Sequence, residues 1–514
     1  MGAVVVLAAV LFISADAVVS RLAKREMNQV LSGGVLPGIE GEVGEVYINI
    51  LSGSAVIRDL SFSTNRLATI DIPTLAVWSI SYRELLRNRR LVVHKISLDT
   101  PKAQVSMDTD HPERLLPEGL QQMDFSSGMP SISIKHFEIE NLSGSLLCTN
   151  APVQLSIDSL SCEFADIGFR DSVFCFNDSV YSLSLAAGQI ETQDIRCELS
   201  DISYQPSGSG LQMGYTRVRN LISPAKMAEK AQEPVTWIDM ELNSLTTAPC
   251  NLIRKIQAQD WTLDKTDVDV RRMHICRDQR YKPKQPFGTP QEFLRSLPVL
   301  FRVKEVNALA HKIDIELYTT AKNCGKMHLR NGRGQIRNVS NIPGTTWLCR
   351  AKAPFGEKGQ VEARYDFRMD KVSSFEIEIK GKDIELGDMN PFIRPLVGIT
   401  TSCTADRIEA LYQGDQTTAQ GTFSLLYHGL DVQVHKEDDV PYKVVTQNAD
   451  LFTALANSLV PKSNPTAVDI HPRRYKVAWK RDIWQPYPLY LFGPCIDGVK
   501  MTMLPGLYVH KQVN

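Results

Sequence analysis

The residue types that could do chemistry are scattered along this sequence, and no grouping has the spacing that catalysis or metal binding needs. His274 and Cys276 stand two residues apart, but no further ligand lies near them, and a structural zinc site needs four. The acidic run Glu437, Asp438 and Asp439 precedes a proline and is typical of a solvated loop. The sequence contains no G-x-S-x-G, no G-x-x-x-x-G-K and no H-E-x-x-H. These observations predict a protein that is not an enzyme and that has no cofactor and no metal.

Two further motifs favour structural interpretations. Gly332-Arg333-Gly334 lacks the third glycine and the following helix of a dinucleotide loop, so it predicts a turn between strands. A basic run on a short predicted helix, comprising Arg83, Arg87, Arg89 and Arg90, is more typical of a solvated helix face than of a lipid-headgroup site.

The composition is that of a folded protein without a nucleic-acid partner. The 514 residues include 57 Lys plus Arg against 58 Asp plus Glu, which gives a net charge of −1, whereas a nucleic-acid-binding surface is normally basic. Ten cysteines are spread along the chain, mostly inside strand-like runs, so we interpret them as small buried residues without pairing.

Alternation of apolar and polar residues predicts strands along most of the chain. Val46, Ile48 and Ile50 alternate with polar residues, and Ser52-Gly53-Ser54 then predicts a hairpin turn. A smaller unit recurs in which two polar residues stand between two apolar ones, as in Val93-His-Lys-Ile, Ile134-Lys-His-Phe and Val303-Lys-Glu-Val. Because one such unit cannot bury an apolar face alone, we expect successive units to stack into one elongated sheet.

The N-terminus predicts a membrane anchor. About seventeen mostly apolar residues, interrupted by Asp16, approach the lower limit for a spanning helix. Ala15-Asp16-Ala17 also fits a signal-peptide cleavage site, but the apolar stripe continues to Leu31, which favours an uncleaved anchor. The basic residues follow the segment rather than precede it, so charge does not assign the orientation.

Helical signals are few and short. They follow Ser81, Pro112, Thr289 and Asn448, and Thr289, Pro290 and Glu292 have the spacing of a capping box. The Ser/Gly-rich stretch near residue 205 and the Pro/Lys-rich stretch near residue 285 are candidate boundaries. We expect an anchor and juxtamembrane helix in 1–35, an N-terminal β-groove in 36–205, middle β-groove repeats in 206–370 and a C-terminal groove end with an amphipathic helix in 371–514.

Several stretches carry a family resemblance. "LPGIEGEVGEVYINILSGSAVIRDLSF" (36–62) and "WSISYRELLRNRRLVVHKISLDTPKAQV" (from Trp78) resemble the opening elements of the bacterial AsmA-like proteins. "IELGDMNPFIRPLVG" (from Ile384) and "ALANSLVPKSNP" (from Ala454) are similar to motifs near the end of that family. The likeness is vaguer between residues 110 and 370. Arg89 and Arg90 precede Leu91 where the family usually has a glycine, which puts the turn there in doubt.

The resemblance implies a mainly β protein: an elongated, curved, taco-like antiparallel groove with an N-terminal transmembrane helix and a few short amphipathic helices. It further implies a single-pass anchor in the bacterial inner membrane, a body in the periplasm, and a relation to bridge-like lipid transfer proteins. Phospholipid, the inner membrane and a distal outer-membrane or periplasmic protein would be the partners.

Alternation then suggests which side chains would line such a groove. An apolar concave face could hold acyl chains at about 0.8 kcal/mol per buried methylene. The candidate lining residues are Val46, Ile48, Ile50, Ile132, Ile134, Phe137, Ile139, Ile313, Ile315, Leu317, Phe375, Ile377 and Ile379.

Two other functions stay open at this point. A non-enzymatic periplasmic scaffold or outer-membrane assembly factor would fill the concave face with its own side chains and bind proteins at exposed strand edges. An envelope enzyme would require a histidine and two carboxylates to converge in a pocket. A lipid conduit instead requires a continuous, open apolar lining.

Overall fold

A computed structural model describes residues 2–34, 39–64, 67–88, 90–107, 131–170, 173–175, 181–320, 323–436, 448–466, 472–505 and 511–513. Side chains of residues 1–13 lie outside this description, as do the helix predicted after Pro112 and the whole acidic run at 437–439. The chain is mainly β, as the alternation predicted.

The strands follow one another with few interruptions. They are β1 Ile39–Asn49, β2 Ser54–Thr64, β3 Ala68–Ile80, β4 Arg90–Asp99, β5 Lys102–Met107, β6 Ser131–Cys148, β7 Val153–Arg170, β8 Val173–Cys175, β9 Tyr181–Thr192, β10 Ile195–Gln205, β11 Gly210–Met213, β12 Thr216–Asn220, β13 Val235–Thr247, β14 Asp260–Asp278, β15 Leu300–Tyr318, β16 Cys324–Ser340, β17 Thr346–Phe355, β18 Gly359–Arg368, β19 Phe375–Glu385, β20 Ile399–Gly414, β21 Thr418–Val434, β22 Arg474–Lys480 and β23 Gln512–Val513.

The described helices are mostly short. They are α1 Gly2–Gln29, α2 Tyr82–Asn88, α3 Pro224–Ala231, α4 Leu252–Ala258, α5 Pro290–Arg295, α6 Asn390–Val397, α7 Ala449–Leu459 and α8 Tyr487–Met503, with a π-helical turn at Val30–Gly34 and a 3₁₀ turn at Leu386–Met389. The predicted helices after Ser81, Thr289 and Asn448 are confirmed as α2, α5 and α7. The capping box is also confirmed, because the Glu292 N–H donates to Thr289 Oγ1 (3.1 Å) and the Thr289 N–H donates to Glu292 Oε2 (2.6 Å).

The chain forms two compact units. Unit 1 comprises Met1–Arg217 with Pro249–Arg254, and unit 2 comprises Val218–Ala248 with Lys255–Asn514. In each unit most strands pair antiparallel with a neighbour in sequence, as the predicted stacking of successive units requires. The sheet is not purely antiparallel, however, since β4 and β5 run parallel to β6 in unit 1 and β14 runs parallel to β15 in unit 2.

Left-handed residues inside the strands explain the recurrent pair of polar residues. Nine Asn, Asp and Ser residues within described strands have φ between 51° and 56°; they are Asp59, Ser79, Asn141, Ser159, Asp166, Asp201, Asn331, Asn338 and Asp383. Asn and Asp, and to a lesser extent Ser, tolerate this conformation because their short polar side chains can bond locally. We call each such position, with the residue across from it, a kink.

On the two sides of a kink, the apolar residues switch between odd and even sequence numbers, but their side chains stay on the same face of the sheet. Ile57 and Leu60 are three residues apart and would point to opposite faces of a regular strand. They nevertheless pack in one cluster with Val43 and Val46, because Asp59 lies between them in the left-handed conformation. The three apolar-polar-polar-apolar units found in the sequence all cross kinks; for example, Lys135 pairs with Asp166 across its kink, with 2.9 Å between Nζ and Oδ1.

Gly44 is the residue across from Asp59, which explains why β1 has a glycine at this position. The ladder pairs Glu45 with Arg58 and Val43 with Leu60 on either side of this position. A Cβ on Gly44 would lie 2.8 Å from the Asp59 Cβ, closer than two carbon atoms can approach. Gly214 stands in the same relation to Asp201.

The free edge of β1 is covered by α1. The Val43 N–H donates to Asn28 Oδ1 (2.7 Å), the Ile48 N–H to Ser20 Oγ (2.8 Å) and the Ile50 N–H to Asp16 Oδ1 (3.0 Å). Side chains of the helix thus replace a neighbouring strand, and the edge loses its capacity to pair with another chain there.

In unit 2, α7 covers an edge of β21 in the same way. Asn457 accepts from the Val432 N–H (3.0 Å) and donates to the Val432 carbonyl (2.8 Å), and Thr453 Oγ1 accepts from the Val434 N–H (2.9 Å). Both covering helices therefore use polar side chains to satisfy strand N–H groups that would otherwise face solvent.

The described helices contradict the predicted localisation. Within the described part of the chain, no helix combines the length and the apolar character needed to cross a bilayer. The single-pass inner-membrane anchor, predicted in 1–35 with the body in the periplasm, is therefore overturned. Asp16 and Ser20, which the sequence placed in or beside an apolar segment, instead bond the backbone of β1.

The turn predicted at Gly332-Arg333-Gly334 is also wrong. All three residues lie inside β16, where Ala310 pairs with Gly332 and Ala308 pairs with Gly334. A pair of glycines predicts a chain reversal, but here the missing side chains leave space on one face of an extended strand.

The kinks make a direct prediction for stability. Asn331 is exposed and has φ 51°, so Asn331→Val should lower the free energy of unfolding by roughly 1–2 kcal/mol, because a left-handed conformation is unfavourable for a β-branched residue. Asn331→Gly should be neutral or stabilising. Arg330→Val is the control, since Arg330 is the exposed preceding residue without positive φ. Urea denaturation followed by tryptophan fluorescence checks this, and equal destabilisation by both valines would contradict it.

The edge cover makes a second prediction. Asp16→Ala leaves the Ile50 N–H without its acceptor, so hydrogen exchange at the end of β1 should accelerate about fivefold, which corresponds to the loss of roughly 1 kcal/mol in local stability. Mass spectrometry of the β1 peptide measures the exchange. Lys24→Ala, on the same helix and exposed, should leave it unchanged.

Candidate functional site

The strands of unit 2 have one apolar and one charged face. Between the two kinks of β16, alternate residues from Gly332 to Ile336 point to the apolar face, and the intervening Arg333 and Gln335 point to the other. The same alternation holds in the paired strands β15, β17 and β18, so each face is continuous across at least four strands.

Small residues form a shallow floor on the apolar face. Ala308 pairs with Gly334, Gly334 with Ala351, and Ala351 with Ala363, which produces one row across β15 to β18. A second row lies beside it. We call the two rows together the Gly/Ala furrow; its floor consists of Ala308, Ala310, Gly332, Gly334, Ala351, Ala353 and Ala363.

Larger side chains border the Gly/Ala furrow on both sides. On one side, Val306, Ile336, Cys349 and Tyr365 pair in sequence and form a taller row. On the other, beyond the kink at Asn331, Leu329 pairs with Ile313. The difference in side-chain height leaves a trough that runs across the strands.

No described protein atom fills this trough over the glycines. A Cβ on Gly334 would have its nearest neighbours, the Ala308 Cβ and the Arg350 carbonyl, 3.9 Å away, and one on Gly332 would meet Ala353 at 3.9 Å. Ala351 is exposed although it lies on the apolar face. Glycine is therefore not required here by close packing, in contrast to Gly493 and Gly498 of α8, where a Cβ would collide with aromatic rings.

The apolar face is closed next to the Gly/Ala furrow, over β19 to β22. There α8 packs its Tyr487, Tyr490 and Met501 onto the sheet, and the Tyr490 hydroxyl donates to the Asp415 carbonyl (2.9 Å). Phe375 is 3% exposed and Ile377 is 0% exposed in this core. These two predicted lining residues are therefore covered by the chain itself.

The other predicted lining residues of unit 2 lie at the borders of the open region. Ile313, Ile315 and Ile379 are half-buried on the apolar face. Leu317 is also half-buried; it pairs with Gly325, where the missing side chain makes room for Leu396 of α6.

In unit 1, too, some of the predicted lining residues are covered by a helix and others are only half-buried. Val46 is buried and Ile48 half-buried in a cluster that Met27 and Leu31 cover from one side, and Ile50 follows at the end of the strand. The four residues predicted on β6 are half-buried; they are Ile132, Ile134, Phe137 and Ile139. In each unit, then, one end of the apolar face is covered by a helix, and other strands leave their apolar side chains only half-buried.

Sequence reasoning missed the floor of the Gly/Ala furrow because it searched for large apolar residues. The signal was a small residue at every second position with a charged one between, as in Gly332-Arg333-Gly334 and Ala351-Lys352-Ala353. Such a pattern has strand periodicity but little hydrophobicity.

The chemistry available at the Gly/Ala furrow is apolar contact. Burial raises the pKa of Tyr365 to about 12 and also raises the pKa of the Cys349 thiol, so both side chains stay neutral near pH 7. Among the described residues, no group of three His, Cys, Asp or Glu side chains could hold a metal ion. What this arrangement can do is bind an elongated apolar group.

No protein-family model and no curated protein sequence matches the chain. The likeness to AsmA-like proteins therefore stays a resemblance carried by the quoted motifs.

The thiol of Cys349 provides a test of the environment of the furrow. Because burial raises its pKa, less of it is thiolate, and at pH 8 we expect Cys349 to react with iodoacetamide at least about threefold more slowly in the folded protein than in urea. Peptide mass spectrometry reports the reaction for this cysteine alone. Equal rates in the folded and unfolded protein would contradict the low-dielectric environment.

Proposed function

We propose that the protein binds lipid acyl chains in the Gly/Ala furrow and carries lipid without a chemical step. The observation that supports this is the uncovered floor of small residues on the apolar face of β15 to β18. An exposed, contiguous apolar surface is unfavourable in water unless a ligand or partner covers it. Phospholipid is the ligand class that the resemblance to AsmA-like proteins also implies.

The dimensions of the apolar face suit a chain-like ligand. The face extends from Val268 on β14 to Ile379 on β19, which is five strand spacings or roughly 24 Å. The two rows of the floor are about 7 Å apart along the strands. An acyl chain lying along the trough would gain about 0.8 kcal/mol for each methylene removed from water.

A scaffold function is the second candidate, and the closed core under α8 is the observation that favours it. A scaffold that recruits proteins by strand addition needs free backbone N–H and carbonyl groups at a sheet edge. Part of the edge of β1 is instead occupied by α1, and part of that of β21 by α7. This arrangement favours lipid carriage through the face of the sheet over protein binding at these edges.

Filling the Gly/Ala furrow tests the proposal. Gly334→Leu places a large apolar side chain on the floor, and its Cβ meets the nearest heavy atoms at 3.9 Å, an ordinary van der Waals distance. Stability should be unchanged or higher, because glycine inside a strand costs about 0.5–1 kcal/mol. We expect at least about fivefold less co-purifying phospholipid in native mass spectrometry, since the acyl chain loses several methylene contacts.

Arg330→Leu is the matched control, because it adds the same side chain to β16 at an exposed residue on the charged face. It should retain the lipid of the unchanged protein. If neither the unchanged protein nor the control carries lipid, or if Gly334→Leu carries as much as both, the proposed function is wrong.

A further inference from the structure

The charged face of unit 2 contains a hollow directly behind the Gly/Ala furrow. This cavity of about 890 Å³ is lined mostly by charged and polar residues of β13 to β19, together with Val268, Leu309 and the Ala308–Gly334–Ala351–Ala363 row. The charged residues of this lining alternate along each strand with the small residues of the furrow floor, as Arg333 does with Gly334 and Lys352 with Ala351. Because successive side chains of a strand point to opposite faces, the charged side chains of the hollow and the apolar side chains of the furrow lie on opposite sides of the same strands.

Every carboxylate that lines the hollow already has a partner. Asp267 bonds Lys265 (2.9 Å) and Asn307 (2.9 Å), and Asp269 bonds His311 (2.9 Å). On the other side, the ion pair with Lys352 lowers the pKa of Glu362, and Glu378 pairs with Lys380. The acidic side chains of the hollow are thus already occupied by partners within the protein.

The cations of the hollow are in excess at its centre. In the ladder Arg333 faces Lys352, and Arg350 faces Arg364. Like charges directly opposite each other are destabilising in a sheet. For two of these residues an ion pair offsets the repulsion: Lys352 pairs with Glu362, and Arg364 pairs with Asp366 at 2.6 Å.

Arg333 and Arg350 have no such ion pair to offset the repulsion. Both residues are exposed, and neither has an ion-pair or hydrogen-bond partner among the residues that the structure describes. They are diagonal neighbours on β16 and β17, a separation that long side chains span. Two unpaired guanidinium groups that line one hollow match the charge of a dianion.

We propose that this hollow binds a soluble anion that carries a phosphate group, held by Arg333 and Arg350. Arginine forks bind phosphate oxygens through paired charge-assisted hydrogen bonds, and two forks suit the several oxygens of one phosphate. The ligand is distinct from any lipid in the furrow, because the strands themselves separate the two surfaces. This anion site therefore goes beyond the proposed lipid carriage and does not depend on it.

Isothermal titration calorimetry with inorganic phosphate at low ionic strength tests the site on the full chain. The double variant Arg333→Gln with Arg350→Gln should bind phosphate at least about tenfold more weakly. The matched control is Lys371→Gln with Lys476→Gln, which removes the same charge from exposed residues of unit 2 outside the hollow. The control should bind as the unchanged protein does.

Flotation with phosphatidylcholine vesicles that contain phosphatidic acid distinguishes the source of the phosphate. The proposal is supported if the double arginine variant binds free phosphate more weakly in calorimetry but floats with the vesicles to the same extent as the unchanged protein. If the lysine control variant loses as much phosphate affinity as the arginine variant, net charge accounts for the binding. If the two arginines affect only the binding of vesicles, the site recognises a membrane surface. Either result overturns the proposal. Absence of phosphate binding by the unchanged protein overturns it as well.

Discussion

Long strands in this protein must keep their apolar side chains on one face, although their apolar residues do not alternate strictly along the sequence. The left-handed residues solve this problem. At each kink one Asn, Asp or Ser residue takes φ near +50°, and the apolar positions shift by one residue while their face is kept. The backbone cost of roughly 1–2 kcal/mol per site is offset by burial of the apolar side chains on either side. The Gly/Ala furrow and the charged hollow both depend on the apolar side chains staying on one face of the strands and the charged side chains on the other.

The sequence predicted the strands well and the kinks only in part. Alternation located the hairpin at Ser52–Ser54, and the capping box at Thr289 identified α5 because both are local signals. The recurrent polar pairs were recognised as a repeat, but alternation alone does not say that a residue between them is left-handed. That property is visible only when the partner strand is known, as for Gly44 opposite Asp59.

The candidate site could be predicted least. Its floor is built from glycine and alanine, whose low hydrophobicity hides them from a search for apolar faces, and Gly332 and Gly334 were mistaken for a turn. Which strands stay open also depends on distant segments: Phe375 and Ile377 have the same alternation as Ile313 and Ile315, but α8, more than a hundred residues later, covers only the first pair. The N-terminal segment was misjudged because Asp16 was counted as a defect in an apolar run, whereas it accepts a hydrogen bond from β1.

The position of α1 before β1 in the chain has a consequence for biosynthesis. A growing sheet exposes an unpaired strand on each side, and nascent chains are vulnerable to association through such strands. Here the helix emerges from the ribosome ahead of the strand it covers, so one side can be sealed as soon as β1 forms. New hairpins can then be added only on the opposite side, which makes assembly of the first unit directional and leaves a single growing end to be protected by chaperones.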